Sequence, residues 1–425
     1  MKKTYTLTLF FLLAVFATKA QQQDRLVYTL QDCIEHGLES NLGLKIVRND
    51  EQAAHNNVTL ANAGALPTVD VSAGLRNTDF EDNTFNANAS LNWTLFDGFK
   101  IQTNYRQLRI LEQRGETDTR IAVENLIADI ASEYYNYLQQ IIRRAHYRYA
   151  LSLSKERLRI AELNYQTGRF SGLDYHLARV DFNADSAQYV KQQQSVRASR
   201  VRLNTLMSNQ NIDQRIVVPD SSIVVRDDLM LEALWQQTLN ANSSLLRASQ
   251  NTILAEIDYK KVLSRNYPYL KMNAQYGYNF SHYGDGLTPN RENADLTSGL
   301  TLGINIFDGN RRRERRNAEL AIESSKLRRE QAEIQLHANL TTFWEAYNNN
   351  LQLLSLQQQN LEIAESNLEI AMERYKLGNL SGFDMRQVQK SLLDAEERVL
   401  QVLYDAKLCE ISLLLISGGI DYYLK

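Results

Sequence analysis

Every second residue is apolar through Phe85, Ala87, Ala89, Leu91, Trp93 and Leu95, while Asn86, Asn88, Ser90, Asn92 and Thr94 stand between them. Such alternation puts one chemistry on each face of an extended strand. Val69, Val71, Ala73 and Leu75 predict the partner strand of a hairpin. A second hairpin is written in Leu270, Met272, Ala274, Tyr276, Tyr278 and Phe280, then in Leu300, Leu302, Ile304 and Ile306 with Thr301, Gly303 and Asn305 between. After each hairpin the pattern changes. All four prolines, at 67, 219, 268 and 289, fall outside the stretches 99–208 and 310–417, and glycine occurs within those stretches only at 115, 168, 172, 378 and 382. The spacing predicts one uninterrupted helix of roughly 65–68 residues in each half, about 100 Å long, and a return helix of roughly 35 residues after a turn. Asp97 and Asp308 stand where a carboxylate caps the first free amides. Gly115 is read as tolerated inside its helix.

The long helices carry two stripes. Leu354, Leu361, Leu368 and Tyr375 recur every seven residues, and so do Leu356, Ile363, Ile370 and Leu377. A displacement of two residues turns the second series about 200° around the helix from the first. Leu151, Leu158 and Tyr165, with Leu153, Ile160 and Thr167, keep traces of both in the first half. A strict seven-residue repeat imposes a left-handed supercoil on a neighbour. Two opposed stripes predict a neighbour on each side, as in a wall of helices closed into a tube.

The chain also says nearly the same thing twice, about 210 residues apart, too long a period for a solenoid. Phe96-Asp97-Gly98 is answered by Phe307-Asp308-Gly309, and Tyr165-x-x-Gly168-x-x-Ser171-Gly172-x-Asp174 by Tyr375-x-x-Gly378-x-x-Ser381-Gly382-x-Asp384. The predicted organisation is an export signal over 1–20, a first repeat over 21–208, a linker over 209–228, a second repeat over 229–418 and a tail over 419–425. Helices at about 30–63 and 229–265 lead into the hairpins, the first capped by Thr29 or Asp32 and the second by Asp227 or Asp228. The valine-rich linker is expected to add small strands.

Lys2 and Lys3 before the apolar run Leu7 to Phe16, with Ala20 before Gln21, read as a cleaved secretion signal. The formal net charge of −3 becomes −6 once Lys2, Lys3 and Lys19 leave with it, which argues against a nucleic-acid partner. Cys33 and Cys409 are too few for a disulfide framework and leave one bridge or two free thiols open. The six histidines lack ligand spacing, so no metal or other cofactor is expected. With no nucleophile–base set or phosphate loop, an enzyme is disfavoured.

Ten-residue alternation behind a secretion signal is the signature of outer-membrane strands. Four strands cannot close a barrel, and open edges are not tolerated in lipid. Two, three or four copies would give eight, twelve or sixteen strands. In signal, hairpins and both doubled motifs, the mature chain resembles the outer membrane efflux protein family. That resemblance implies a mainly α protein with membrane β: a homotrimer forming a twelve-stranded outer-membrane barrel continued by a twelve-helix periplasmic tube. It implies an exit duct of an efflux or secretion system, taking substrate from a periplasmic adaptor and an inner-membrane transporter. Its contacts would be those partners and outer-membrane lipid.

The resemblance further implies that Gly168, Ser171 and Gly172, with Gly378, Ser381 and Gly382, form adaptor-contacting tips at the periplasmic entrance. Asp384 matches the family's acidic entrance position, and Asp174 is its first-half counterpart. Gln387 stands where the family's best-known member has a second acid, and Leu380 where it has an arginine. A plainer role for both aspartates is helix N-capping. Phe96, Asp97, Gly98, Phe307, Asp308 and Gly309 mark the junction of barrel and helices. Arg311, Arg312, Arg313, Arg315 and Arg316 crowd a helix start, where the dipole disfavours cations; lipid phosphate or solvent would offset that. The competing reading is a structural, periplasm-spanning coiled coil without a lumen, which would need no barrel strands.

Overall fold

The computed structural model describes residues 26–78, 82–169, 171–283 and 289–424. The expected secretion signal lies outside them. The element order is β1 (Leu26–Val27), α1 (Leu30–Ser40), α2 (Leu42–Asn56), β2 (Thr68–Thr78), β3 (Asp82–Asp97), α3 (Lys100–Gln166) and α4 (Gly172–Leu206). It continues with β4 (Ile216–Val217), α5 (Leu231–Ala241), α6 (Ser243–Ser264), β5 (Tyr269–His282), β6 (Arg291–Gly303), α7 (Arg311–Lys376) and α8 (Gly382–Ser417), and ends in a 3₁₀ turn, Ile420–Leu424. A helix pair, a hairpin, a long helix and a return helix thus occur in the same order twice. The long helices have 67 and 66 residues and the return helices 35 and 36. None of the described helices is long and apolar enough to cross a membrane.

The expected helices at 30–63 and 229–265 are each broken in two. Asn41 and Asn242 interrupt them, and Asn242 caps α6 by accepting the Leu245 amide at 3.0 Å. A side-chain amide competes with helical backbone bonding, which is why asparagine marks such breaks. Thr29 and Asp32 cap α1 together as a reciprocal box. Asp227 and Asp228 do not cap α5, which starts only at Leu231; Asp228 instead pairs with Arg226 at 2.5 Å.

The chain packs as two units. One comprises Gly43–Ala122 and Ala241–Ala338. It holds the four-stranded sheet, ordered β2-β3-β5-β6 and antiparallel throughout. The register brings Val71, Ala89, Tyr276 and Leu296 into one apolar row and Asp70, Ser90, Gln275 and Thr297 into the adjacent polar one. The apolar row is uncovered, as are Leu75 (83% exposed), Leu300 and Leu302. The alternation expected through Ile306 stops as strand at Gly303, and Ile304 and Ile306 belong to the connection into α7. Gly115 sits inside α3 without breaking it, and a Cβ there would make only ordinary contacts, 3.4 Å from Ala54 and 3.5 Å from the Glu51 backbone.

The other unit comprises the described parts of Met1–Leu42, Val123–Asn240 and Asn339–Lys425. Here the linker contributes one small strand: β4 pairs in parallel with β1, and the second valine-rich piece is irregular, with Ile223 buried against Leu138 and Leu400. Tyr137 donates to the Ile216 carbonyl at 3.0 Å and Tyr134 to Asp220 at 2.5 Å, fixing the linker on α3. Cys33 and Cys409 are both free; burial pushes the Cys33 thiol up to about 12, so it is an inert core residue.

Candidate functional site

The two helix turns are built alike. Gly168 and Gly378 have φ of +75° and +80°, a left-handed conformation that a side chain would strain, and they end α3 and α7. Gly172 and Gly382 are ordinary first residues of the return helices and need no such freedom. Neither aspartate is the N-cap. Ser171 caps α4 by accepting the Asp174 amide at 3.2 Å, and Asp174 in return accepts the Ser171 amide at 3.1 Å. Ser381 accepts the Asp384 amide at 3.1 Å and donates its hydroxyl to that carboxylate at 2.7 Å. Asp174 and Asp384 are thus the third residues of their helices, tied to the caps. Ser171, Ser381, Asp384 and Gln387 are exposed, and Leu380 is half-buried on an apolar cluster.

Behind the turns lies a network that the sequence reading missed. Arg157 on α3 is 1% exposed; it bonds Asp181 of α4 at 2.5 Å and the carbonyl of Gly382 at 3.4 Å. Arg386, one turn into α8, bonds Asp185 at 2.6 and 2.8 Å and approaches Asp181 at 3.7 Å. Asp185 also accepts the Ser154 hydroxyl. Two aspartates of the first half therefore bind two arginines, one of which belongs to the second half. Arginine presents a planar fork that can satisfy carboxylates in this bidentate way. A lone i, i+4 pair of aspartates on α4 carries no sequence signal pointing to a partner some 200 residues away.

The two stripes have different fates. Leu368 (6% exposed) and Tyr375 are buried with Ile160, Met385 and Leu392, and Leu361 and Leu153 pack around them. Ile363 (60% exposed), Leu356, Ile370 and Leu377 are open. One seam is made within the chain and the other is left uncovered.

A charged junction lies among α3, α7 and α8. Arg143 meets Glu397 at 2.9 Å, and His146 stands 4.0 Å from Glu396. Burial, then Glu365 and Glu397, push the Glu396 carboxyl up to about 7. Burial and then Arg143 lower the His146 pKa.

At the hairpin ends, the Asp97 carboxylate accepts the Ile101 amide at 2.9 Å, capping α3 as expected. Gly98 has φ of +65° and lies so close to the Ser264 carbonyl that no side chain fits. Phe99 stacks edge-on against Phe96 and Tyr267, with centroids at 5.2 and 5.6 Å. The second copy differs: Asp308 accepts the Asn310 amide at 2.9 Å, Gly309 has no neighbour within 4 Å of a Cβ position, and Phe307 is exposed.

The profile of the family described as outer membrane efflux protein matches residues 34–209 and again 234–419. Over 406 residues the chain is 22% identical to the outer membrane protein TolC of Vibrio cholerae, covering 92% of this chain and 91% of that protein. Its fold is similar to a membrane protein from Pseudomonas aeruginosa, with a TM-score of 0.76 at 16% identity over 92% of this chain and 93% of the other. The Campylobacter jejuni CmeC outer membrane channel gives 0.76 at 17% identity, covering 92% and 85%. The outer membrane protein VceC of Vibrio cholerae gives 0.73 at 16% identity, covering 92% and 96%. Two separate matches that together take in most of the sequence place this chain, an outer-membrane protein, in the outer membrane efflux protein family.

Proposed function

We propose that the chain is the exit duct of a tripartite efflux or secretion system, working as a homotrimer whose twelve strands form one barrel above a tube of twelve helices. The observation that carries this reading is a sheet with an uncovered apolar face and two unpaired edges, β2 and β6. Such edges persist in lipid only if another chain pairs them. The open Ile363 stripe supports the same conclusion from the helical part, since it supplies the second seam that a closed wall needs. The repeated element order is the expected product of an internal duplication.

In this reading the turns at Gly168–Asp174 and Gly378–Asp384 form the periplasmic entrance and meet the adaptor, which delivers substrate from an inner-membrane transporter. Three copies of Asp384 give the opening a negative potential that favours cations. The Arg157–Asp181–Arg386–Asp185 network ties the second-half turn to α3 and α4 of the first half and so supports holding the entrance in one arrangement. A coiled-coil scaffold without a lumen has no use for the uncovered sheet.

Reconstitution tests the proposal. Protein from the outer-membrane fraction should require detergent, run as a trimer and insert conducting channels into planar bilayers. A monodisperse, detergent-free monomer with native helical content sinks it.

A further inference from the structure

We propose that the groove where the end of α6 meets the start of α7 binds the phosphate head of an anionic phospholipid. The inference rests on the membrane reading above and goes beyond it by naming a lipid class and a site. The groove has a volume of about 510 Å³, and its lining combines Val262, Leu263, Ile306 and Phe307 with Arg311, Arg312 and Arg315. Its lining therefore brings apolar and cationic side chains together, as a lipid with a charged head requires.

Three further observations favour that occupant. First, apolar side chains stay exposed from the end of β6 into the connection: Leu300 and Leu302 on the strand, then Ile304, Ile306 and Phe307, the last two 88% exposed. The arginines begin four residues past Phe307, which in the membrane reading sets them at the level of the headgroups. Second, the positive charge is not consumed locally. Arg311 donates one terminal nitrogen to the Asn305 carbonyl at 2.8 Å, but its Nε is shut off from solvent without a partner. Arg315 meets Glu319 at 3.1 Å, while Arg312, Arg313 and Arg316 form no ion pair among the described residues. Asp308 also lines the groove, and its carboxylate accepts the Asn310 amide. Third, the first half does not repeat the feature. Lys100, Ile101 and Asn104 stand where the second half has Arg311, Arg312 and Arg315, so the framework alone does not require arginine there. An anion at this helix start would also meet the dipole's positive end and offset the repulsion among five arginines.

The test uses the assembled protein in nanodiscs containing equal parts of a phosphatidylglycerol and a phosphatidylcholine, followed by native mass spectrometry of the lipid retained. The wild type should keep phosphatidylglycerol in preference. A variant carrying Arg311→Gln, Arg312→Gln and Arg315→Gln should lose that preference by roughly tenfold or more, the scale of one charge-assisted hydrogen bond. Arg313→Gln with Arg316→Gln, which leaves the groove lining untouched, should retain it. Equal retention by the groove variant overturns the proposal and leaves the groove to another copy of the chain. Displacement of the lipid by millimolar inorganic phosphate also overturns it, in favour of a free-anion site. Failure of all variants and wild type to enter nanodiscs would instead strike at the membrane reading.

Discussion

Arg386 and Asp185 lie 201 residues apart in sequence and face each other across the two halves with two hydrogen bonds, at 2.6 and 2.8 Å. A fork-to-fork contact has little tolerance for sliding, so it reports whether the second-half turn is docked. Asp185→Asn removes the charge but keeps the shape: the amide oxygen can still accept one bond from Arg386, whose nearest carboxylate is then Asp181 at 3.7 Å. Because Arg386 stays partly exposed, the loss should be about 1–3 kcal/mol rather than the full penalty of a buried pair. Thermal unfolding should show that shift, and single-channel records should show longer open dwell times. A destabilised protein with unchanged dwell times would make the network structural only.

Lys407 and Glu410 form the most enclosed pair, at 2.8 and 2.9 Å, with Glu410 fully buried. Glu410 also accepts the Tyr423 hydroxyl at 2.8 Å and the Arg226 amide at 3.0 Å, so it joins the C-terminal turn to the linker. Glu410→Gln strands a buried ammonium, which should cost about 3–5 kcal/mol. Burial already lowers the Lys407 pKa. In the variant the unfolded chain would bind the extra proton, so its stability should climb as pH rises toward the lysine's ordinary range. Urea titrations at pH 7 and 9 check both the size and the slope.

The two stripes of α7 give a paired prediction. Leu361→Lys puts an ammonium into a cluster completed within the chain, and should cost several kcal/mol and impair folding. Ile363→Lys puts the same charge on a face that the chain leaves open, and should spare the helical content while weakening the proposed trimer. Circular dichroism and detergent-phase sizing separate the two. Equal effects would mean that the stripes are not distinct seams.

Much of this architecture is legible in the sequence because its signals are local and repeated. Proline and glycine placement gives the helix lengths, alternation gives the strands, and the heptads give two stripes, one of which packs within the chain. What is not legible depends on geometry across the chain. The sequence cannot say which seam is filled internally, since Leu368 and Ile370 are equally apolar. It assigns the caps to Asp174 and Asp384 because both residue types cap helices, whereas the serine three residues earlier takes that place in each turn. It reads Ile304 and Ile306 as strand because alternation outlasts the ladder of hydrogen bonds that defines the sheet. The Asp181–Asp185 partners are invisible for the same reason: nothing local marks Arg386 as theirs.

Acid should strengthen the junction around Glu396. Its folded pKa is raised to about 7, above the unfolded value of 4.5, so the folded state holds a proton that the unfolded state has released. Stability from this group is full below about 4.5, falls as pH rises to about 7 and is flat beyond. His146 has a lowered pKa and works against it below 6.5. Glu396→Gln removes this contribution and leaves those of His146 and of Glu397, whose carboxyl burial also raises, so the wild-type decline in melting temperature between pH 5 and 7 should become shallower. An unchanged slope would place the pH response elsewhere.

The last expectation concerns Asp384. Its amide is capped by the Ser381 hydroxyl, so Asp384→Asn keeps the cap and replaces a charge-assisted bond with a neutral one. The helix start should lose no more than about 0.5–1 kcal/mol. The functional effect should be larger, because a trimer would lose three charges at one ring. Cation preference in bilayers should fall, and block by multivalent cations should weaken, while Asp174→Asn serves as the first-half comparison. The contrast between the two depends on where each turn sits in the assembled entrance: equal effects mean that six carboxylates share the opening, and an effect at Asp384 alone means that the second-half turns line it. If neither substitution alters selectivity, both aspartates serve their helices only, and the charge that ions meet on entry must come from residues deeper along the helices.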